Sequence, residues 1–422
     1  MTRDALLALG VVMAGATQLS LPGSSFGYGE LLLALWIMLS IGRIFAGGRT
    51  VLTPALTKLA GFWLVMTIAL ALGTIVAYFT SIPYLTGLVH DTEAYLLLVC
   101  ITCLAAAEPD ADHHLRRSAW WLIAIANVTL AIQLAQGWGW LPRANIESWY
   151  WDRFRGWSEN PNQLALYCAI FGTLALHLAT TTSNGWARFL AIASVFFTFY
   201  IGRLTKSDAY LYTSILACLT FLGLGIRTWL KTAGNKVSLP RQALLLLLIG
   251  SFPLAVSITP YVLSEANVLE SFAKSLTKDN GGEATAETAE LRLYLWGAAL
   301  EKGVQSGSMG LGPGPHVSRP STWERQFDFL TRPFEAHNTV LDLYTQGGVI
   351  SVLALAWLAG TATMSVWRAK LDALVALMVS IVIFSMPHLI IRHPIVWFAL
   401  TLCLVVGRPS PVRSEAGAIK VA

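Results

Sequence analysis

Phe334-Glu335-Ala336-His337-Asn338-Thr339-Val340-Leu341-Asp342-Leu343-Tyr344 is the stretch on which the reading of this chain turns. On its N-terminal side, from about Tyr261 to Glu335, the sequence is polar, charged and Gly-rich. On its C-terminal side it becomes apolar again at once, as it is before Tyr261. Membrane-crossing helices need about 20 mainly apolar residues each. The pattern is therefore a series of spans broken by one large extramembrane loop. A simple anchor has no use for such a loop with a histidine at its exit. An enzyme working at a membrane surface does.

Composition agrees. Of 422 residues, 55% are hydrophobic and 13% charged, with a mean hydropathy of +0.59. Soluble domains carry roughly 25% charge, so the chain reads as all-α and polytopic. The net charge of +5 sits in short loops between apolar runs. Membrane orientation explains those cations, and no nucleic-acid partner is expected. All five cysteines (Cys100, Cys103, Cys168, Cys218, Cys403) lie in apolar segments. Cys100-x-x-Cys103 has no second pair and no histidine set, and reads as packing rather than metal or redox chemistry. The run Ala5 to Leu21 follows Arg3 but precedes no small-residue cleavage site, and reads as a retained first span.

Apolar runs predict about twelve spans: 4–21, 28–47, 55–79, 93–107, 118–137, 162–181, 186–203, 208–229, 241–261, 339–366, 371–388 and 391–407. The fourth is short, with residues 81–92 before it read as a re-entrant or interfacial piece. The division is then residues 1–260 with nine spans, 261–336 as the outer loop, and 337–422 with three spans and a tail. With a cytoplasmic N-terminus, one set of loops holds sixteen cations from Arg3 to Lys420. The opposite short loops hold only Arg143, Arg153, Arg155, Arg203, Lys206 and Arg392. Positive charge marks the inner side, so both termini are expected to be cytoplasmic and the large loop outside.

That orientation gathers distant residues on one outer face. Arg153-Phe154-Arg155-Gly156-Trp157-Ser158-Glu159-Asn160-Pro161-Asn162 lies there, flanked by Trp149, Tyr150 and Trp151, which suit an interfacial aromatic belt. Asn160-Pro161 reads as a turn with Pro161 opening a helix. Gly202-Arg203-Leu204-Thr205-Lys206-Ser207-Asp208 puts two cations on the positive-poor side. In the large loop, helices are expected near 264–277 and 285–304, separated by Asn280-Gly281-Gly282. Arg292 and Trp296, four apart, share one face of the second. Gly310-Leu311-Gly312-Pro313-Gly314-Pro315-His316 lacks the Lys-Ser/Thr of a phosphate loop and reads as a rigid turn. His337 follows, with Glu335 and Asp342 placed to orient its ring or raise its basicity, and Asn338 able to cap the next helix.

Taken singly, each of these has a structural reading: an interfacial anchor, a snorkelling cation, a solvated face, a helix-start histidine. It is their assembly on one face that points to a site. Asp110-x-Asp112-His113-His114 lies on the opposite side and reads as a solvated loop. His388 and His393, either side of Arg392, read as turn residues.

The spacing Arg153-x-x-Gly156-x-x-x-Asn160-Pro161-Asn162 resembles the signature of the O-antigen ligase and polymerase superfamily. Thr205-Lys206-Ser207 resembles a second family element. The outer loop with its Arg-and-Trp helix and Gly-rich turn, closed by His337-Asn338-x-x-Leu341 and followed by Gln346-Gly347-Gly348-Val349-Ile350, resembles the third. The resemblance covers roughly residues 150–365. It departs at Asp208, where many relatives carry Arg, which loosens the assignment of Arg203 and Lys206.

The resemblance implies a glycosyltransferase of the GT-C type in the bacterial inner membrane, with its active site facing the periplasm. The donor would be a glycan on undecaprenyl pyrophosphate. In the ligase branch, which the single large outer loop resembles most, the acceptor is lipid A-core. The polymerase branch uses another lipid-linked repeat, and a third branch glycosylates protein. By this reading His337, Arg153 and Arg292 are catalytic, and Arg155, Arg203, Lys206, Asn160, Asn162, Trp296, Glu335 and Asn338 bind substrate. Arginines neutralise the leaving pyrophosphate without metal or other cofactor, and His337 deprotonates the acceptor hydroxyl. A transporter is the non-enzyme alternative; no inverted repeat or broken-helix pair is obvious in the sequence.

Overall fold

The computed structural model describes residues 2–20, 27–80, 84–142, 146–232, 282–318 and 333–407. Within them the chain is helical apart from one small hairpin. The helices are α1 (Thr2–Met13), α2 (Tyr28–Phe45), α3 (Pro54–Thr80), α4 (Leu85–Ala106), α5 (Ala111–Gly137), α6 (Pro161–Thr181), α7 (Gly185–Leu204) and α8 (Asp208–Thr232). After these come α9 (Gly282–Gln305), α10 (Thr339–Arg368), α11 (Asp372–Ser385) and α12 (Pro394–Val406). Strands β1 (Trp149–Tyr150) and β2 (Arg153–Phe154) form an antiparallel hairpin between α5 and α6.

Eight of the described helices, α2 to α8 and α10, are long and apolar enough to cross a membrane, so the protein is a helical multi-pass membrane protein. Several predicted spans have different limits. The first, expected over 4–21, is a 12-residue helix ending at Met13. Beyond it the chain turns to meet the 155–159 segment: Gln18 N donates to Trp157 O and Ser158 Oγ to Gly15 O. Of the expected re-entrant piece at 81–92, residues 85–92 are instead the first turns of α4, which runs unbroken from Leu85, and residues 81–83 lie outside the described residues. The predicted span 241–261 and the predicted helix 264–277 lie outside the described residues.

α11 and α12 are short, and every residue of α12 is buried. α12 is the central post of the bundle. Trp397 packs against Phe62 and Trp63 of α3, with ring centroids 5.3 and 4.4 Å apart. A helix enclosed by other helices need not reach both lipid interfaces. The peripheral helices are apolar on their outer surfaces too, as Leu64, Ile68 and Ile75 of α3 are exposed. That is the pattern of helices that face lipid.

The polar ends differ. At one end Arg3 pairs with Glu108, and Asp4 with His114 (2.9 Å) and Arg117. The Asp110–His114 motif keeps Asp110, Asp112 and His113 exposed, as expected, but is the head of a helix rather than a loop. It forms the start of α5, and its His114 is tied to α1. The other end carries the hairpin, the α7–α8 turn, α9 and the residue 386–393 loop.

α10 is broken at Gly347 (φ −123°, ψ 16°) and Gly348 (φ 64°, ψ −161°). Only glycine adopts the Gly348 conformation without strain. The break frees carbonyls that need donors. The Gly-rich turn supplies them: Leu311 N donates to Thr345 O (2.7 Å) and Gly312 N to Gln346 O (2.8 Å). His316 Nε2 closes the turn by donating to Gly312 O (2.7 Å). The rigid turn expected from the sequence thus plugs a broken helix.

Candidate active site

Four elements bring the candidate site together, and each is fixed by ordinary packing. The hairpin is anchored by Phe154, which is fully buried, and by Trp149 Nε1 donating to Gly137 O (2.9 Å). Gly156, at φ 56°, lies so close to Gln133 that an added Cβ would be 2.0 Å from its Oε1. Arg153 is then clamped: Nε donates to Thr205 O (3.0 Å) and Nη2 to Asn162 Oδ1 (2.9 Å).

α9 is held against the loop exit by a separate small core of Leu295, Ala299, Val317 and Ala336. Val317 and Phe334 exchange two backbone hydrogen bonds, at 3.0 and 2.7 Å. This places Arg292, one turn from Leu295, within electrostatic reach of His337. His337 itself has φ 51°, a left-handed conformation uncommon for a non-glycine residue. Asp342 imposes it by accepting from Ala336 N (2.8 Å) and Asn338 N (3.3 Å), on either side.

The fourth element is the loop before α12. Thr339 Oγ1 donates to His388 O (2.6 Å) and accepts from Ile390 N (3.0 Å). His388 therefore sits against the start of α10, two residues from His337. Its ring tilts onto Phe384, centroids 5.0 Å apart.

Charge is what distinguishes this cluster. Arg292 makes no hydrogen bond or ion pair with any described residue, yet it is half-buried. Burial lowers Arg153 and Arg292 below the usual guanidinium range, with Asp208 the main charge opposing the shift for each. Burial, then the charge of Arg292, holds His337 below the usual imidazole range. Burial pushes His388 down to about 3, with Arg292, His337 and Arg153 adding to it. Two guanidiniums and two imidazoles with lowered pKa thus lie within electrostatic reach of one another, and among the described residues Asp208, exposed at the head of α8, is the main carboxylate facing the guanidiniums. Holding like charges together out of water is costly unless an anion joins them. The His337 ring, without a hydrogen bond to any described residue, is free to take a proton.

Other predicted residues have different places. Glu335 does not orient His337; it pairs with Arg392, which also holds Asp91 of α4 at 2.5 Å. Gln346 extends that network, accepting from Tyr95 Oη (2.7 Å). Neither Glu335 nor Asp342 raises the basicity of His337, because one is spent on Arg392 and the other on backbone. Arg155 is committed to Glu147 and to the Glu147 and Glu159 carbonyls. Lys206 pairs with Asp152 (2.7 Å), and Arg203 is exposed on the same turn.

Asn160 caps α6 by accepting from Asn162 N (2.9 Å). Asn338 caps α10 by accepting from Val340 N (3.0 Å) and Leu341 N (3.2 Å). The asparagines therefore build the site rather than face it. Trp296 keeps a buried indole N–H with no partner among the described residues, one turn from Arg292. His388 is the member that sequence reasoning missed, having been taken for a turn residue. Among the described residues no three His, Cys, Asp or Glu side chains cluster as metal ligands. No family model matches the chain, and no curated protein matches it.

Proposed function

We propose that the protein is an inverting glycosyltransferase of the O-antigen ligase type, moving a glycan from undecaprenyl pyrophosphate to lipid A-core. The observation that carries this is the pair Arg153 and Arg292, half-buried near His337 and faced, among the described residues, mainly by the one carboxylate of Asp208. A pyrophosphate is the kind of anion such a place attracts, and arginine contacts phosphate oxygens bidentately.

The chemistry would be one displacement. His337 takes the proton from the acceptor hydroxyl. The oxygen attacks the anomeric carbon opposite the leaving group, and the bond from that carbon to the pyrophosphate oxygen breaks. Arg153 and Arg292 neutralise the charge that collects there. A depressed His337 favours the role, since the imidazole stays neutral at physiological pH. The step needs no metal, because the guanidiniums supply the electrophilic help.

In this reading the enzyme lies in the bacterial inner membrane with both termini cytoplasmic and the site periplasmic. A polymerase or a protein O-oligosaccharyltransferase would use the same groups with a different acceptor. A transporter would draw on the broken α10 and the Asp91–Arg392 pair, but gives no role to Arg292 near His337, which no described residue pairs. Incubating purified protein with the lipid-linked donor, with and without lipid A-core, separates these. The ligase makes glycosylated core, the polymerase lengthens donor without core, and a transporter makes no product.

A further inference from the structure

The tip of the β1–β2 hairpin is built against the preference of its own turn. Tyr150 and Arg153 are cross-strand partners, so the connection is the two residues Trp151-Asp152. Two-residue connections with positive φ at the first position favour glycine there. That position is Trp151, at φ 55°. A bulky residue in this conformation is strained by about 1–3 kcal/mol, and Trp151 recovers little by burial, being 84% exposed. Local rules broken at an exposed aromatic point to a use outside the fold.

The surroundings say which use. Trp151 lies flat on Tyr150, rings 5.4 Å apart and 10° from parallel. The Arg155 guanidinium covers Tyr150 at 5.5 Å. Asp152 ties the tip to Lys206 of the α7–α8 turn. Cross-strand partners share a face, so the Tyr150 ring stands on the same face as Arg153, the candidate pyrophosphate ligand. The result is a rigid aromatic step beside a phosphate-binding cation, ringed by charged groups.

An indole that only anchors the protein in lipid needs none of this. Trp138, Trp140 and Trp186 are also exposed, and none of them has positive φ. We infer that Trp151, stacked on Tyr150, is the subsite against which the first sugars of a pyrophosphate-linked glycan pack, apolar ring face to indole. This rests on the proposed function, since it places the glycan by placing its pyrophosphate at Arg153.

The test compares wild type, Trp151→Gly and Trp151→Tyr in detergent. Binding is measured for two probes, sugar-free undecaprenyl pyrophosphate and an undecaprenyl-pyrophosphate-linked oligosaccharide. Glycine suits the turn, so Trp151→Gly should melt at or above the wild-type temperature. It should weaken the oligosaccharide probe about tenfold, the scale of one aromatic contact, and leave the sugar-free probe unchanged, with Trp151→Tyr recovering most of the loss. Equal weakening of both probes would assign Trp151 to the lipid, and no change in either would leave it no ligand; each overturns the inference. If wild type binds neither probe, the pyrophosphate site itself is wrong, a failure visible before any variant is compared.

Discussion

Replacing Gly348 with alanine should damage this protein more than its chemistry suggests. A Cβ there would lie 2.0 Å from Ser308 O and 2.7 Å from the Met309 carbonyl carbon, both backbone. The backbone conformation alone costs a non-glycine residue about 1–3 kcal/mol. Relieving the overlap also breaks the 3.0 Å bond from Val349 N to Ser308 O, worth about 1 kcal/mol. The expected loss is about 2–4 kcal/mol. It falls where the Gly-rich turn plugs α10, and the same helix begins beside His337, so transfer should fall as well. Gly360 is the control: nothing lies within 4 Å of its would-be Cβ, and Gly→Ala in a helix interior gains up to about 1 kcal/mol. Thermal unfolding in detergent, followed by residual activity, reads both. The two variants should move in opposite directions. A Gly348→Ala protein that melts with wild type and keeps its full rate would refute the plugged-helix reasoning.

Other outcomes follow from the same geometry. Arg392→Met strands Asp91, which is 1% exposed, and should cost about 3–5 kcal/mol; adding Asp91→Asn should restore part of it, measured as melting temperature. The pH–rate profile should show an acid limb below the ordinary imidazole value of 6.5, because a base acts only when neutral and His337 is depressed. Arg292→Gln removes the second cause of that depression, so the limb should move toward higher pH while the rate falls. His388, held neutral, suits hydrogen bonding rather than proton transfer. His388→Ala should therefore slow transfer by roughly tenfold to a hundredfold, and His388→Gln should retain more. Equal loss in both variants would make His388 an acid–base group.

Much of the scaffold could be read in the sequence because its signals are local. Asn160-Pro161 announces the start of α6 and Asn338 caps α10, whereas the break at Gly347-Gly348 falls inside a span read as continuous over 339–366. The polar run ending at His337 marks the loop exit. What escaped was set by distant packing. α1 stops early because Gly15, Thr17 and Gln18 must reach the 155–159 segment. Asp91 and Arg392 are 301 residues apart, and no spacing announces their pairing. His388 looks like a turn residue until α12 is seen at the centre of the bundle, which carries its preceding loop to the start of α10. Glu335 was the plausible partner of His337 by proximity in sequence, but Arg392 reaches it first. Arg155 and Lys206 lie on the right face but are neutralised by Glu147 and Asp152, which sequence reasoning had no means to pair with them.

The most direct test is transfer by purified protein in detergent with EDTA, given an undecaprenyl-pyrophosphate glycan and lipid A-core, beside His337→Ala. A metal-independent ligase with His337 as its base predicts a glycosylated core band that requires core, survives the chelator and disappears in a folded His337→Ala protein. Loss of the band with EDTA, or its persistence at full strength in His337→Ala, would contradict the mechanism. No product under any condition from folded wild-type protein would contradict the ligase assignment itself.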